Sequence, residues 1–103
     1  MGKRILYVDD SVITRMAAKV VLEENGFSVT EAEDGYEALE KVRNDDQFDL
    51  FLVDYNMPNM DGMTLIKELR KIPSNVNTPI IMLSGESGEN NIEGAEEAGA
   101  NGW

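Results

Sequence analysis

The chain has 103 residues, 42% of them hydrophobic and 28% charged, which suits one domain able to bury a core. Its net charge of −11 argues against nucleic acid or an anionic membrane as a partner and favours cations and basic surfaces. With no cysteine and no histidine, disulfides, thiolate nucleophiles, Cys/His zinc sites and histidine bases are excluded, which leaves carboxylates, hydroxyls and lysines for any chemistry.

The opening MGKRILYVDD reads as a strand over 4–8, short, apolar and rich in strand formers, cut off by two aspartates. That break also rules out a signal peptide. From Ser11 the period becomes helical: Val12, Met16 and Val20 form one row, Ile13, Ala17 and Val21 the next, and Gly26 closes the helix. Residues 27–32 read as a second strand. Asp34 followed by Glu37 is a capping-box variant that opens a second helix, YEALEKV. Residues 48–53 form a third strand, continuously apolar over 50–53. Residues 62–71 carry Met63, Ile66 and Leu69 at helical spacing, and Pro73 and Pro79 bracket a polar loop. Residues 79–83 form a fourth strand, and residues 87–98 a weaker, Gly- and Glu-rich helix. Unbroken strand–helix alternation predicts an α/β domain with a parallel sheet, and the continuous apolar strands predict cover on both its faces. No apolar run approaches bilayer length, so a soluble, cytoplasmic protein is expected.

Two apolar runs end in acid: RILYV runs into Asp9 and Asp10, and LFLV into Asp54. Ligands of open parallel sheets bind beyond the carboxyl ends of the strands, where strand order reverses. With strand order 2-1-3-4, strands one and three are neighbours about 4.8 Å apart, and the three aspartates meet in one cleft. Crowded carboxylates repel, and a hard divalent cation such as Mg²⁺ relieves that cost. A metal held by carboxylates, with room for phosphate, is a phosphoryl-transfer site, and without Cys or His the nucleophile would be an aspartate. Taken singly, each acid also has a plainer reading, as a helix start or a turn, with Ser11 as N-cap.

The acidic pair in YVDDS, the lone aspartate in LVDYNMPNMDG, the hydroxyl ending strand four in PIIMLSGE and the closing AGANGW together resemble the receiver domain of two-component response regulators, of the CheY type. The resemblance covers residues 1–103 and implies a flavodoxin-like, doubly wound sheet in the order 2-1-3-4. It implies that Asp54 accepts the phosphoryl group, that Asp10 binds Mg²⁺ directly and Asp9 mostly through water, and that Asn56 offers the metal its backbone carbonyl. Ser84 would hydrogen-bond the phosphoryl group, and Trp103 would move with that hydroxyl. Asn56 and Glu86 would tune how long the phosphoryl group survives. The implied partners are a sensor histidine kinase or another phosphodonor and a downstream output domain or protein. The activity is signalling rather than enzymatic, beyond autocatalysed phosphorylation and dephosphorylation of the aspartate.

The family continues into a fifth strand, a lysine and a last helix, so this chain is expected to be a C-terminally truncated receiver. The lost lysine makes an interaction-only receiver, one that no longer switches on phosphorylation, the alternative function. Strand four then forms an apolar edge, expected to promote self-association or domain swapping. A haloacid-dehalogenase-type phosphatase needs an acid two residues after its aspartate, whereas Asn56 follows Asp54 and Val12 follows Asp10 at that spacing. A flavin binder needs a hydroxyl-rich phosphate cradle that DDSVIT lacks.

Overall fold

In the computed structural model, residues 2–45, 47–55, 57, 60–83 and 99–102 are described. The helix expected over 87–98 lies outside them. Four parallel strands, β1 (Arg4–Val8), β2 (Ser28–Ala32), β3 (Leu50–Asp54) and β4 (Ile80–Leu83), lie in the order β2-β1-β3-β4. Helices α1 (Val12–Glu24), α2 (Gly35–Asn44) and α3 (Gly62–Arg70) make the crossovers, with a short 3-10 turn at Pro73–Asn75 before β4. This is the expected doubly wound order.

Strand β1 starts where expected, while β2 and β3 start slightly later than expected, for local reasons. Helix α1 ends with Gly26 at φ +90°, where the Gly26 N–H donates to Glu23 and the Phe27 N–H to Leu22. Phe27 is thus spent on closing the helix, and β2 starts at Ser28. Before β3, the Asp49 carboxylate accepts the Arg4 N–H at 2.7 Å while the Asp49 N–H donates to the Arg4 carbonyl at 2.8 Å. A side chain stands in for a ladder carbonyl there, so pairing starts at Leu50. Phe48 stays out of the strand but is buried, tilted against Phe51 and covered by the Arg4 guanidinium.

One core holds the sheet to α2 and α3. Leu6, Val8, Phe51, Val53, Ile80 and Met82 pack against Ala38, Leu39 and Val42 of α2 and Leu65, Ile66 and Leu69 of α3, all buried. The opposite face is covered by α1, more loosely among the described residues. Leu50, Leu52, Ile81 and Leu83 are only half-buried, and α1 buries none of its residues fully. Of the apolar rows that reveal α1, Ile13 and Met16 are 81% and 60% exposed, while Ala17 and Val21 line an open apolar groove with Tyr7, Leu52 and Leu83. Its inner side is Arg15, Ala18, Lys19 and Leu22, each half-buried. Arg15 and Lys19 both reach Glu31 of β2, and their stems cover the sheet.

The outer edge of β4, expected to be open, is partly taken by the chain itself. Asn101 donates its backbone N–H to the Ile80 carbonyl at 2.7 Å, and the Met82 N–H donates to Gly102 at 2.8 Å. Gly102 thereby forms a parallel bridge with Ile81. Among the described residues, β4 beyond Met82 has no strand on that side.

Candidate functional site

The register explains why three separated acids meet. Val8 pairs with Val53, so Asp9 and Asp54 stand side by side one step further along, at the carboxyl rim of the two central strands. Each carboxylate offers an oxygen, and these oxygens all lie within 4.8 Å of one another. Asp9 is buried, Asp54 half-buried and Asp10 exposed, so the cluster opens to solvent on one side. The ligands of one hexacoordinate Mg²⁺, at about 2.1 Å, lie roughly 3–4 Å apart. The three oxygens are within reach of that spacing. An all-oxygen donor set suits a hard divalent cation, and these residues could hold one.

Asp9 is held from three sides. Its Oδ1 accepts the Ser11 N–H at 2.9 Å, and its Oδ2 accepts the Tyr7 hydroxyl at 3.3 Å. Its backbone carbonyl accepts a 2.6 Å hydrogen bond from the Arg15 guanidinium, one turn into α1. Ser11 caps that helix, accepting the Thr14 N–H, so the plainer reading of Ser11 is also true. Burial first, then the Asp9 charge, the hydrogen bond to Asp9 and the Asp54 charge push the Tyr7 phenol up to about 12. The hydroxyl therefore remains a donor to Asp9 throughout the neutral range.

Asp54 is placed by close packing of α3 behind it. The Gly62 N–H donates to the Tyr55 carbonyl at 3.1 Å. A Cβ at Gly62 would lie 2.5 Å from the Asp54 carbonyl oxygen, so only glycine lets α3 start this near. Asp61 caps α3, accepting the Thr64 N–H at 2.8 Å, and stays out of the acidic cluster.

The structure thus brings together Asp9, Asp10 and Asp54 of the expected site. Asn56, Ser84, Glu86 and Trp103 lie outside the described residues. Asp54 pairs with Leu83 across the β3–β4 ladder, and Ser84 is the next residue in the chain. Sequence reading missed Tyr7 and Arg15. The signal for Tyr7 was its place two residues before Asp9, on the same strand face.

Compared with known families, residues 5–103 match the response regulator receiver domain. The chain belongs to the response regulator receiver family. It is 42% identical over 101 residues to the chemotaxis protein CheY of Bacillus subtilis, covering 97% of this chain and 82% of that protein. It is 38% identical over 100 residues to a gliding motility regulatory protein of Myxococcus xanthus, of which it spans 13%. The solved structure of the chemotaxis protein CheY4 of Vibrio cholerae superposes with a TM-score of 0.96 at 35% identity, over all of this chain and 85% of that one. This is therefore a CheY-like receiver domain of the two-component signalling class. Among the described residues, no helix of this receiver is long and apolar enough to cross a membrane.

Proposed function

We propose that this receiver accepts a phosphoryl group on Asp54, from a sensor histidine kinase or a small phosphodonor, with Mg²⁺ held at the rim. The observation that carries this reading is the convergence of Asp9, Asp10 and Asp54, from two separate strand ends, within 4.8 Å in a receiver fold. In this reading an Asp54 carboxylate oxygen bonds to phosphorus as the donor's P–O or P–N bond breaks, and the donor leaves with that electron pair. Bound Mg²⁺ would neutralise charge on the transferring group. Asp10 and Asp54 would be its direct ligands, Asp9 mostly an outer one, and the Asn56 carbonyl a further donor. Tyr7, the Ser11 N–H and Arg15 keep Asp9 oriented. Ser84 would hydrogen-bond the phosphoryl group, Trp103 would move with it, and Asn56 and Glu86 would set its lifetime. The protein would act in the cytoplasm and pass its state to an output domain or protein. In the same reading, a second copy adds a strand to β4 beyond Met82, and a stable monomer in sedimentation at high concentration removes that element alone.

The test is intact mass after incubation with Mg²⁺ and acetyl phosphate. The expected result is a gain of one phosphoryl group that needs Mg²⁺ and vanishes in Asp54→Asn. No gain in the natural chain leaves an interaction-only receiver, and a gain that survives Asp54→Asn moves the acceptor elsewhere.

A further inference from the structure

Far from the acidic rim, Arg70 gathers the end of the chain. Its Nε and Nη2 donate to the Gly99 carbonyl at 3.0 and 2.8 Å, and Nη2 also to Asn101 Oδ1 at 2.7 Å. Its Nη1 donates to the carbonyls of Asn75 at 2.7 Å, Thr78 at 2.6 Å and, more weakly, Val76 at 3.4 Å. Every one of these acceptors is neutral. Among the described residues, Arg70 is therefore bound as a fork of donors to neutral acceptors, and burial lowers its pKa.

The geometry is specific on both sides. Gly99 has φ +115°, and a Cβ there would lie 2.9 Å from Arg70 Cγ. Asn101, the residue Arg70 holds, is also the one that docks on β4. Its Oδ1 accepts the Ile80 N–H at 2.9 Å and its N–H donates to the Ile80 carbonyl at 2.7 Å. Arg70 is the last residue of α3, whose first residue, Gly62, abuts Asp54.

We propose that Arg70 is a positioning residue that latches residues 99–102 onto the outer edge of β4, so that one helix holds the C-terminal segment at its base and abuts Asp54 at its tip. The latch itself needs no phosphate. Its effect on signalling rests on the reading of Asp54 as phosphoacceptor.

Hydrogen exchange in the unphosphorylated chain tests the latch. The amides of Ile80, Met82 and Asn101 bond across it, while those of Phe51 and Tyr55 bond to the inner side of β4. Arg70→Ala should speed exchange of the first three on the order of tenfold, with the inner pair little changed. Arg70→Lys should fall between, because an ammonium cannot reproduce the fork. Gly99→Ala attacks the same contact from the other side and should release the same three amides, which keeps the test valid if Arg70→Ala folds poorly. Unchanged exchange at Met82 and Asn101, or equal acceleration of every strand, overturns the latch. With acetyl phosphate and Mg²⁺, Arg70→Ala should still gain the phosphoryl mass but lose most of the accompanying Trp103 fluorescence change. A full fluorescence change in Arg70→Ala overturns the signalling half. Absence of the mass gain in the natural chain overturns the phosphoacceptor reading and leaves the exchange result standing.

Discussion

Along β3 the two sides of the sheet part company. Phe51 and Val53 are sealed beneath α2 and α3, while Leu50, Leu52 and Asp54 on the other side remain half-buried. Helix α3 buries Gly62, Leu65, Ile66 and Leu69, and α1 buries nothing completely. Beside half-buried Ala18 and Leu22, what ties α1 down among the described residues is polar: Ser11 and Arg15 on Asp9, and Arg15 and Lys19 on Glu31. One face is fastened by apolar burial, which any large side chain of the right volume supplies. The other is fastened largely by hydrogen bonds and ion pairs, and because Arg15 bonds both Asp9 and Glu31, its fastening and the acidic site share residues.

The largest expected effect lies on the buried face. Leu65→Ala should lower unfolding free energy by about 3 kcal/mol in urea titration, through lost transfer energy and the cavity left behind. A loss under about 1 kcal/mol would mean that this face relaxes as readily as the other. Arg15→Ala should cost about 1 kcal/mol, since one hydrogen bond and a partly shielded ion pair are lost. It should also speed amide exchange in α1 far more than in α3, and equal acceleration in both helices would erase the distinction. The smallest effect should come from Ile13→Ser, within about 0.5 kcal/mol, because the side chain is 81% exposed. A larger loss there would show that the outer face of α1 is covered in solution.

This contrast marks where the sequence could be read and where it could not. The strands and the acids at their ends were legible because an apolar run that stops at a carboxylate is a one-dimensional signal. Strand order and adjacency of Asp9 with Asp54 followed once the alternation and the receiver motifs were in hand. Helix α1 was legible as a helix, but its orientation was not. Most of its apolar rows are exposed, and Arg15 and Lys19 lie toward the sheet, where Glu31 receives them. Periodicity reports that a helix is two-sided, not which side a neighbouring strand will claim. The cover on the α1 face is looser among the described residues for a related reason. Leu50, Leu52, Ile81 and Leu83 stay half-buried because α1 meets that side with Arg15, Ala18, Lys19 and Leu22 and leaves an apolar groove between Val21 and Leu52 and Leu83. The start of β3 depends on the Asp49 carboxylate taking the Arg4 N–H, and the reach of Arg70 over 29 residues depends on the Gly99 backbone carbonyl, and no sequence pattern marks either.

The central claim is that Asp9, Asp10 and Asp54 act together as a single cation site. Calorimetric titration of Mg²⁺ into the natural chain and into Asp9→Asn, Asp10→Asn and Asp54→Asn tests it most directly. The account predicts one saturable site in the natural chain, weakened at least about tenfold by each substitution. Mg²⁺ binding that Asp54→Asn leaves untouched, or no saturable binding at all, would contradict it.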